Sequence, residues 1–312
     1  FILFEIIQTL KTAALSSEME SHQRLAIRLP NWLGDTLMTY PLLVQLHRAE
    51  IDFTCFGHPA VLDLFSATDF SMVGSSRIRD HLFMRRQYRA GAFTKAILCP
   101  SSFSALIPVK LSNLPSIGHH FMCSQRIRKN VRGHRVEHYY DLGRPLLHDT
   151  GSRGIPEDFI PLNDATRQYG KSIIDSLFTG PFVVVCPFAS NLHQGQNKEW
   201  PYWKQFMSRY KDKPLLGLVS AQDVDRFQDE FPGTPVLSES LSVAAAIMRE
   251  ADHVITNDSG AMHLASFFGA QVLGLFGVTN VIETRPWHGD YLTSANGKWA
   301  DYHDVKAYLN SH

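Results

Sequence analysis

Short apolar runs alternate with stretches of helical period along most of the 312-residue chain. Arg24–Leu29 (RLAIRL) reads as the first strand and Pro30–Asp35 as a tight loop. Thr36–Arg48 reads as a helix with Leu37, Met38, Leu42, Leu43 and Leu46 apolar, and Pro41 is placed to kink it. Strands at Ile51–Phe56, Phe70–Val73 and Lys95–Cys99 alternate with helices at Ala60–Ala67, Asp80–Ala90 and Phe103–Leu111. Ile117–Arg135 is basic and poor in period, and reads as a loop region over the sheet end. Glu157–Leu162 (EDFIPL) has the look of a linker. Beyond it the pattern predicts a helix at Ala165–Leu177, a strand at Phe182–Cys186, a helix at Tyr202–Tyr210, a strand at Leu215–Val219 and helices at Val224–Phe231, Val243–Glu250 and Asp301–Asn310. Such alternation predicts an α/β protein with parallel sheets covered by helices on both faces. The length predicts two doubly wound, Rossmann-like domains, 1–158 and 159–312, facing a central cleft. The last helix, 301–310, is left free to pack back on the first domain.

The densest pattern is His253–Asn280, HVITNDSGAMHLASFFGAQVLGLFGVTN. A β-type run stops at Asn257-Asp258, a helical stretch carries Met262, Leu264, Ala265 and Phe268 and ends at Gly269, and a second apolar run, Gln271–Phe276, ends in Gly277-Val278-Thr279-Asn280. In a parallel sheet both turns of this β–turn–α–turn–β unit fall at the carboxyl ends of the strands, where ligands bind. The NDSG turn offers free backbone N–H groups and the positive end of a helix dipole, a setting for a phosphate or diphosphate. His263 lies one helical turn beyond Ser259 on the same face. An ordinary βαβ unit, with Asp258 as an N-cap and His263 in the core, has the same pattern.

Charge sharpens this picture. The chain has net charge zero, but Phe70–His148 holds 13 Lys and Arg against 3 Asp and Glu, leaving 17 against 27 elsewhere. A local +10 points to an anionic partner for the first half, unless it is only a solvated basic face. No nucleic-acid-binding motif accompanies it. Cys55, Cys99, Cys123 and Cys186 are far apart and form no C-x-x-C pair, which predicts reduced thiols of a cytosolic protein. No apolar run approaches the roughly 20 residues of a membrane span. The start, FILFEIIQTLKTAALSS, is amphipathic, includes Glu5 and Lys11, and lacks a basic leader; a helix over Phe1–Gln23 is expected and a signal peptide is not.

Three further loops carry chemistry. Arg28–Asp35 (RLPNWLGD) is a strand-to-helix turn in which Gly34 permits close approach, without the pattern of a dinucleotide loop or the lysine of a P-loop. Asp35 is either a capping carboxylate or a reactive one. Lys198-Glu199-Trp200-Pro201 follows a polar loop, Ser190–Asn197. Leu218–Asp223 ends another strand, and Asp223 or Asp225 there is placed to hold ribose hydroxyls or merely to open a helix. His119, His120, His134 and His138 show no metal-ligand spacing, so no metal site is expected.

TNDSGAMHLASFFGAQVLGLFG resembles the signature of the lipopolysaccharide heptosyltransferase family, with Gln271 where that family usually has proline. PNWLGD resembles its first motif, P-x-W-(I/V/L)-G-D, in the form closer to the second heptosyltransferase of core assembly, and KEWP resembles its K-x-W-P. The resemblance implies a GT-B glycosyltransferase, with acceptor held by the first domain and nucleotide-sugar by the second. It implies inverting transfer of L-glycero-D-manno-heptose from ADP-heptose to the inner core on lipid A, with no cofactor and no metal. Asp35 then takes the position of the general base and Lys198 that of the diphosphate contact. Asp258, Ser259, Gly260, His263, Asp223, Thr279 and Ser190 become donor-side residues; the longer 190–197 loop leaves open which of Ser190, Asn191 and Gln194 serve. On the acceptor side stand Arg126, Arg128, Lys129 and Arg132. The expected setting is cytoplasmic, peripheral to the inner membrane. A nucleotide-sugar-binding relative without transfer activity and a sugar-nucleotide epimerase of similar architecture are the alternatives.

Overall fold

The computed structural model describes residues 23–147, 154–189, 195–294 and 298–312, so the helix expected over 1–23 lies outside the described residues but for its last one. The first half comprises β1 (Arg24–Arg28), α1 (Leu33–Leu37), α2 (Tyr40–Arg48), β2 (Asp52–Gly57), α3 (Ala60–Leu64), β3 (Ser71–Gly74), α4 (His81–Ala90), β4 (Lys95–Leu98), α5 (Phe103–Leu111), β5 (Ser116–Gly118), β6 (Gln125–Arg126) and α6 (Arg135–Tyr140). The second comprises α7 (Asp164–Leu177), β7 (Val183–Cys186), α8 (Trp203–Arg209), β8 (Leu215–Leu218), α9 (Val224–Glu230), β9 (Val236–Leu237), α10 (Leu241–Glu250), β10 (His253–Asn257), α11 (Gly260–Phe267), β11 (Val272–Leu275), α12 (Val281–Thr284), β12 (Asp290–Leu292) and α13 (Tyr302–Ser311).

The strands form two six-stranded sheets, ordered β3-β2-β1-β4-β5-β6 and β12-β11-β10-β7-β8-β9. Every pairing is parallel; Ile27 sits between Cys55 and Ile97, and Thr256 between Cys186 and Gly274. Both sheets reverse their winding beside their first strand, between β1 and β4 and between β7 and β10. Such switch points open a crevice at the carboxyl ends of the strands, and the loops after β1, β7 and β10 all leave from there.

The expected alternation is present, with three differences of physical interest. The segment Thr36–Arg48 is two helices rather than one kinked helix. α1 stops at Leu37 and α2 restarts at Tyr40, with Pro41 in its first turn, where a missing N–H costs nothing. The region expected as loop, Ile117–Arg135, holds most of β5 and all of β6, while α6 starts at Arg135. Finally, α13 does not return to the first domain: its buried Tyr302, Val305 and Leu309 join Trp200, Phe206 and Ile255 on the outer face of the second sheet.

A continuous core runs between the halves, from Leu25 and Ile27 through Leu42 and Leu46 to Val184, Val254 and Phe267. The Glu157–Leu162 segment has no regular secondary structure and is held by both sides. Ile160 donates its N–H to the Phe267 carbonyl at 2.8 Å, the Tyr40 hydroxyl donates to the Phe159 carbonyl at 3.2 Å, and Arg48 pairs with Asp158 at 2.6 Å. Asp63 of α3 accepts from both the N–H (2.9 Å) and the hydroxyl (2.6 Å) of Ser242 at the start of α10, a direct tie between the halves. All four cysteines are buried and free. Among the described residues no helix is long and apolar enough to cross a membrane.

Candidate active site

A cavity of about 710 Å³ lies where the two switch points face each other. Its walls come from the loop and helix after β1, the start of α6, and the loops after β7, β8, β10 and β11.

α1 and α11 meet there end to end. A Cβ on Gly34 would lie 2.5 Å from Cδ2 of His263, and one on Gly260 would lie 3.0 Å from Leu33. The close approach that Gly34 permits is therefore that of the other half's histidine. The contact brings Asp35, in the first turn of α1, to the cavity opposite the start of α11.

The N-terminus of α11 is not capped by a side chain: Ser259 occupies the N-cap position without a capping hydrogen bond. Asp258 is not a cap either. It is buried, and its carboxylate pairs with the Lys198 ammonium at 3.2 Å and accepts from the Thr284 hydroxyl at 3.4 Å. The first-turn N–H groups of α11 thus remain a site for negative charge, reinforced by the helix dipole. His263 is 4% exposed, and burial pushes its imidazole down to about 4 against the pull of Asp258 and Asp35. It is neutral near pH 7, and its Nδ1 has no partner among the described residues.

The loop carrying Lys198 is built rather than loose. Asn257 closes β10 with a side chain that accepts from the Trp200 N–H (2.8 Å) and the Trp203 indole (3.0 Å) and donates to the Pro187 carbonyl (2.7 Å). The Trp200 indole donates to the Ala300 carbonyl at 2.7 Å. Glu199 takes a bidentate pair from Arg226 (2.9 and 2.8 Å), whose guanidinium covers Phe188. Burial works against the Glu199 carboxylate, but hydrogen bonds from Arg226 and the Ala189 N–H hold it below its ordinary value. The Glu-Trp-Pro after Lys198 therefore anchors that lysine beside Asp258.

Of the remaining donor-side candidates, Asp223 and Thr279 line the cavity. Asp223 accepts from the Ser220 hydroxyl at 2.5 Å, and the Thr279 hydroxyl is buried without a partner among the described residues. Asp225 does not line the cavity. Ser190, Asn191 and Gln194 lie outside the described residues. Arg126, Arg128, Lys129 and Arg132 are exposed on β6 and the loop behind it, outside the cavity wall. No group of three His, Cys, Asp or Glu among the described residues is arranged to hold a metal ion.

The pattern along the chain did not reveal Arg135 or Glu283. Arg135 Nη1 pairs with Asp35 Oδ1 at 2.9 Å, while its Nε and Nη2 reach Glu283 Oε1 at 3.2 and 2.6 Å. The Tyr139 hydroxyl donates to the same Asp35 oxygen at 3.1 Å. Burial opposes the Arg135 charge, yet Asp35 and Glu283 hold the guanidinium more firmly protonated than usual. Burial likewise works against the Glu283 carboxylate, and hydrogen bonds from Arg135 pull it below its ordinary value. Beside this trio His134 caps α6 by accepting the Val136 N–H on Nδ1, so its Nε2 carries the proton donated to the Arg285 carbonyl at 2.9 Å. A helical signal was present in Val136, Tyr139 and Tyr140, but the cap is a histidine rather than one of the usual short polar residues.

Comparison with known proteins bears on the family and the fold. Residues 82–308 match the family model for glycosyltransferase family 9 (heptosyltransferase). Lipooligosaccharide heptosyltransferase 2 of Campylobacter jejuni is 21% identical over 286 residues, covering 86% of this chain and 85% of that protein. The E. coli ADP-heptose LPS heptosyltransferase II structure superposes with a TM-score of 0.75 at 18% identity, over 93% of this chain and 98% of its own. E. coli heptosyltransferase WaaC with ADP gives 0.70 at 17%, over 93% and 99%. These superpositions establish the GT-B fold. With well over half of its length matched by the family model, the chain belongs to glycosyltransferase family 9, the heptosyltransferases, and is a glycosyltransferase.

Proposed function

We propose that the protein transfers L-glycero-D-manno-heptose from ADP-heptose to a hydroxyl of the inner core on lipid A, with inversion at the anomeric carbon. The observation that carries this reading is the meeting of Asp35, Lys198 and the uncapped start of α11 in one cavity. The named relatives work on lipooligosaccharide, lipopolysaccharide or ADP-heptose, which supports the same donor and acceptor here.

The chemistry needs three things. The acceptor hydroxyl oxygen bonds to the anomeric carbon as the bond from that carbon to the diphosphate breaks, and Asp35 takes the hydroxyl proton. Its Oδ1 is engaged by Arg135 and Tyr139, whereas Oδ2 accepts no hydrogen bond among the described residues and is the oxygen for that proton. ADP leaves with the bonding electrons, and the Lys198 ammonium with the N–H groups of Gly260 and Ala261 balances its charge. Asp258, His263 and Thr279 are polar partners for sugar hydroxyls, and Asp223 for the ribose. The basic surface from Arg126 to Arg132 faces the phosphates of the acceptor and an anionic bilayer, which fits a protein working at the inner face of the inner membrane.

A donor screen tests the reading. ADP release from ADP-heptose, stimulated by a heptose-deficient core acceptor and lowered about 10²–10⁴-fold in Asp35→Asn, is expected. ADP binding with no acceptor-dependent release would instead favour a nucleotide-sugar-binding protein without transfer activity.

A further inference from the structure

The trio Asp35–Arg135–Glu283 spans the cleft: Asp35 and Arg135 belong to the first half and Glu283 to the second. The guanidinium divides its fork, one N–H to the base and two to Glu283. All three side chains line the cavity, and they remain 17%, 32% and 38% exposed respectively, so this is not a core ion pair. Glu283 sits on α12, a single turn capped by Asn280, and the next residue, Thr284, donates to Asp258, the partner of Lys198. An unbroken polar path thus runs from the base through Arg135, α12 and Asp258 to the diphosphate lysine.

We infer that Arg135 is a positioning residue: it aims Asp35 by fixing Oδ1, and it is itself held in place by Glu283 from the donor half. The base is thereby set in register only when the halves are closed around the donor pocket. This rests on the reading of Asp35 as general base. Fixing one carboxylate oxygen orients the free one, and misplacement of a reacting group by about 1 Å can cost up to about 10²-fold in rate. Lysine cannot replace the arginine, because a single ammonium lacks the planar fork that serves two carboxylates at once.

The test uses the full chain with ADP-heptose and a heptose-deficient core acceptor, comparing wild type, Asp35→Asn, Arg135→Lys, Glu283→Gln and the double variant Asp35→Asn/Arg135→Lys. Arg135→Lys and Glu283→Gln are each expected to lower kcat by about tenfold or more, while ADP affinity by calorimetry stays within about twofold. In the Asp35→Asn background Arg135→Lys is expected to cost nothing further, since a positioning effect vanishes with the group it positions. Wild-type kcat in either single variant overturns the inference. So does an undiminished loss in the double variant, which marks a merely structural role. If Asp35→Asn keeps its kcat, the base assignment has failed first, and the positioning role falls with it; that outcome is read in a separate variant, so the two failures are distinct.

Discussion

Gly34→Ala is the most economical probe of how the site is held together. The added Cβ would lie 2.5 Å from Cδ2 of His263, against at least 3.4 Å for ordinary contact, a shortfall of about 0.9 Å. The histidine has little room to yield that distance: it is 4% exposed, on a helix whose residues Met262 to Phe267 are all buried. The strain must therefore move α1 away from α11 or twist both. Overpacking of this kind typically costs about 1–3 kcal/mol. Asp35 is the next residue, so it shifts with α1, and a displacement near 1 Å can lower kcat by up to about 10²-fold. The assay is steady-state ADP release, run beside a denaturant titration. Gly180→Ala serves as the control, since a Cβ there meets nothing within 4 Å. Wild-type kcat and an unchanged denaturation midpoint in Gly34→Ala would refute the claim that the two helix starts are in register through this glycine.

Lys198→Ala is expected to weaken ADP binding by about 1.5–3 kcal/mol, roughly 10–150-fold in Kd, and also to destabilise the fold, because Asp258 is then left buried with only Thr284. Calorimetry that shows the wild-type Kd removes the lysine from the site. Replacing Arg126, Arg128, Lys129 and Arg132 by Gln is expected to raise the acceptor KM and blunt its salt dependence, leaving the donor KM in place, at up to about 1 kcal/mol per charge; an unchanged acceptor KM at low and high salt makes the patch a solvated face. Acid should destabilise the protein early. Burial lowers the imidazoles of His263 and His134 from an ordinary 6.5 to about 4 in the folded protein. The unfolded chain therefore takes up their protons first as pH falls from 6.5 toward 4, and stability declines across that window. A denaturation midpoint that stays flat between those pH values contradicts the neutral, buried state of both rings.

The loops were legible because their chemistry is local. Strand, turn, glycine and helix follow one another within a few residues in RLPNWLGD and TNDSGAMH, and parallel-sheet topology then sends both loops to the same crevice. What the structure added is non-local or too short to have a period. β6 and β9 are two residues each, so no alternation marks them. Arg135 lies 100 residues from Asp35 in the chain and Glu283 lies 148 from Arg135, and no spacing rule joins them. The stripe Tyr302, Val305 and Leu309 announces a helix with one buried face, but both sheets offer a surface for it, and the second takes it. Asp258 has the composition of an N-cap and a different partner, because Lys198 arrives from a loop that is remote in sequence and anchored by Asn257.

The proposed transfer of heptose with Asp35 as the base is read most directly on the acceptor. The direct measurement is mass spectrometry of a heptose-deficient core acceptor after incubation with ADP-heptose and either the wild-type protein or Asp35→Asn. The acceptor is expected to gain one heptose with wild type, at a rate that falls about 10²–10⁴-fold with Asp35→Asn. An unmodified acceptor with wild-type protein, or equal gain with both proteins, would contradict it.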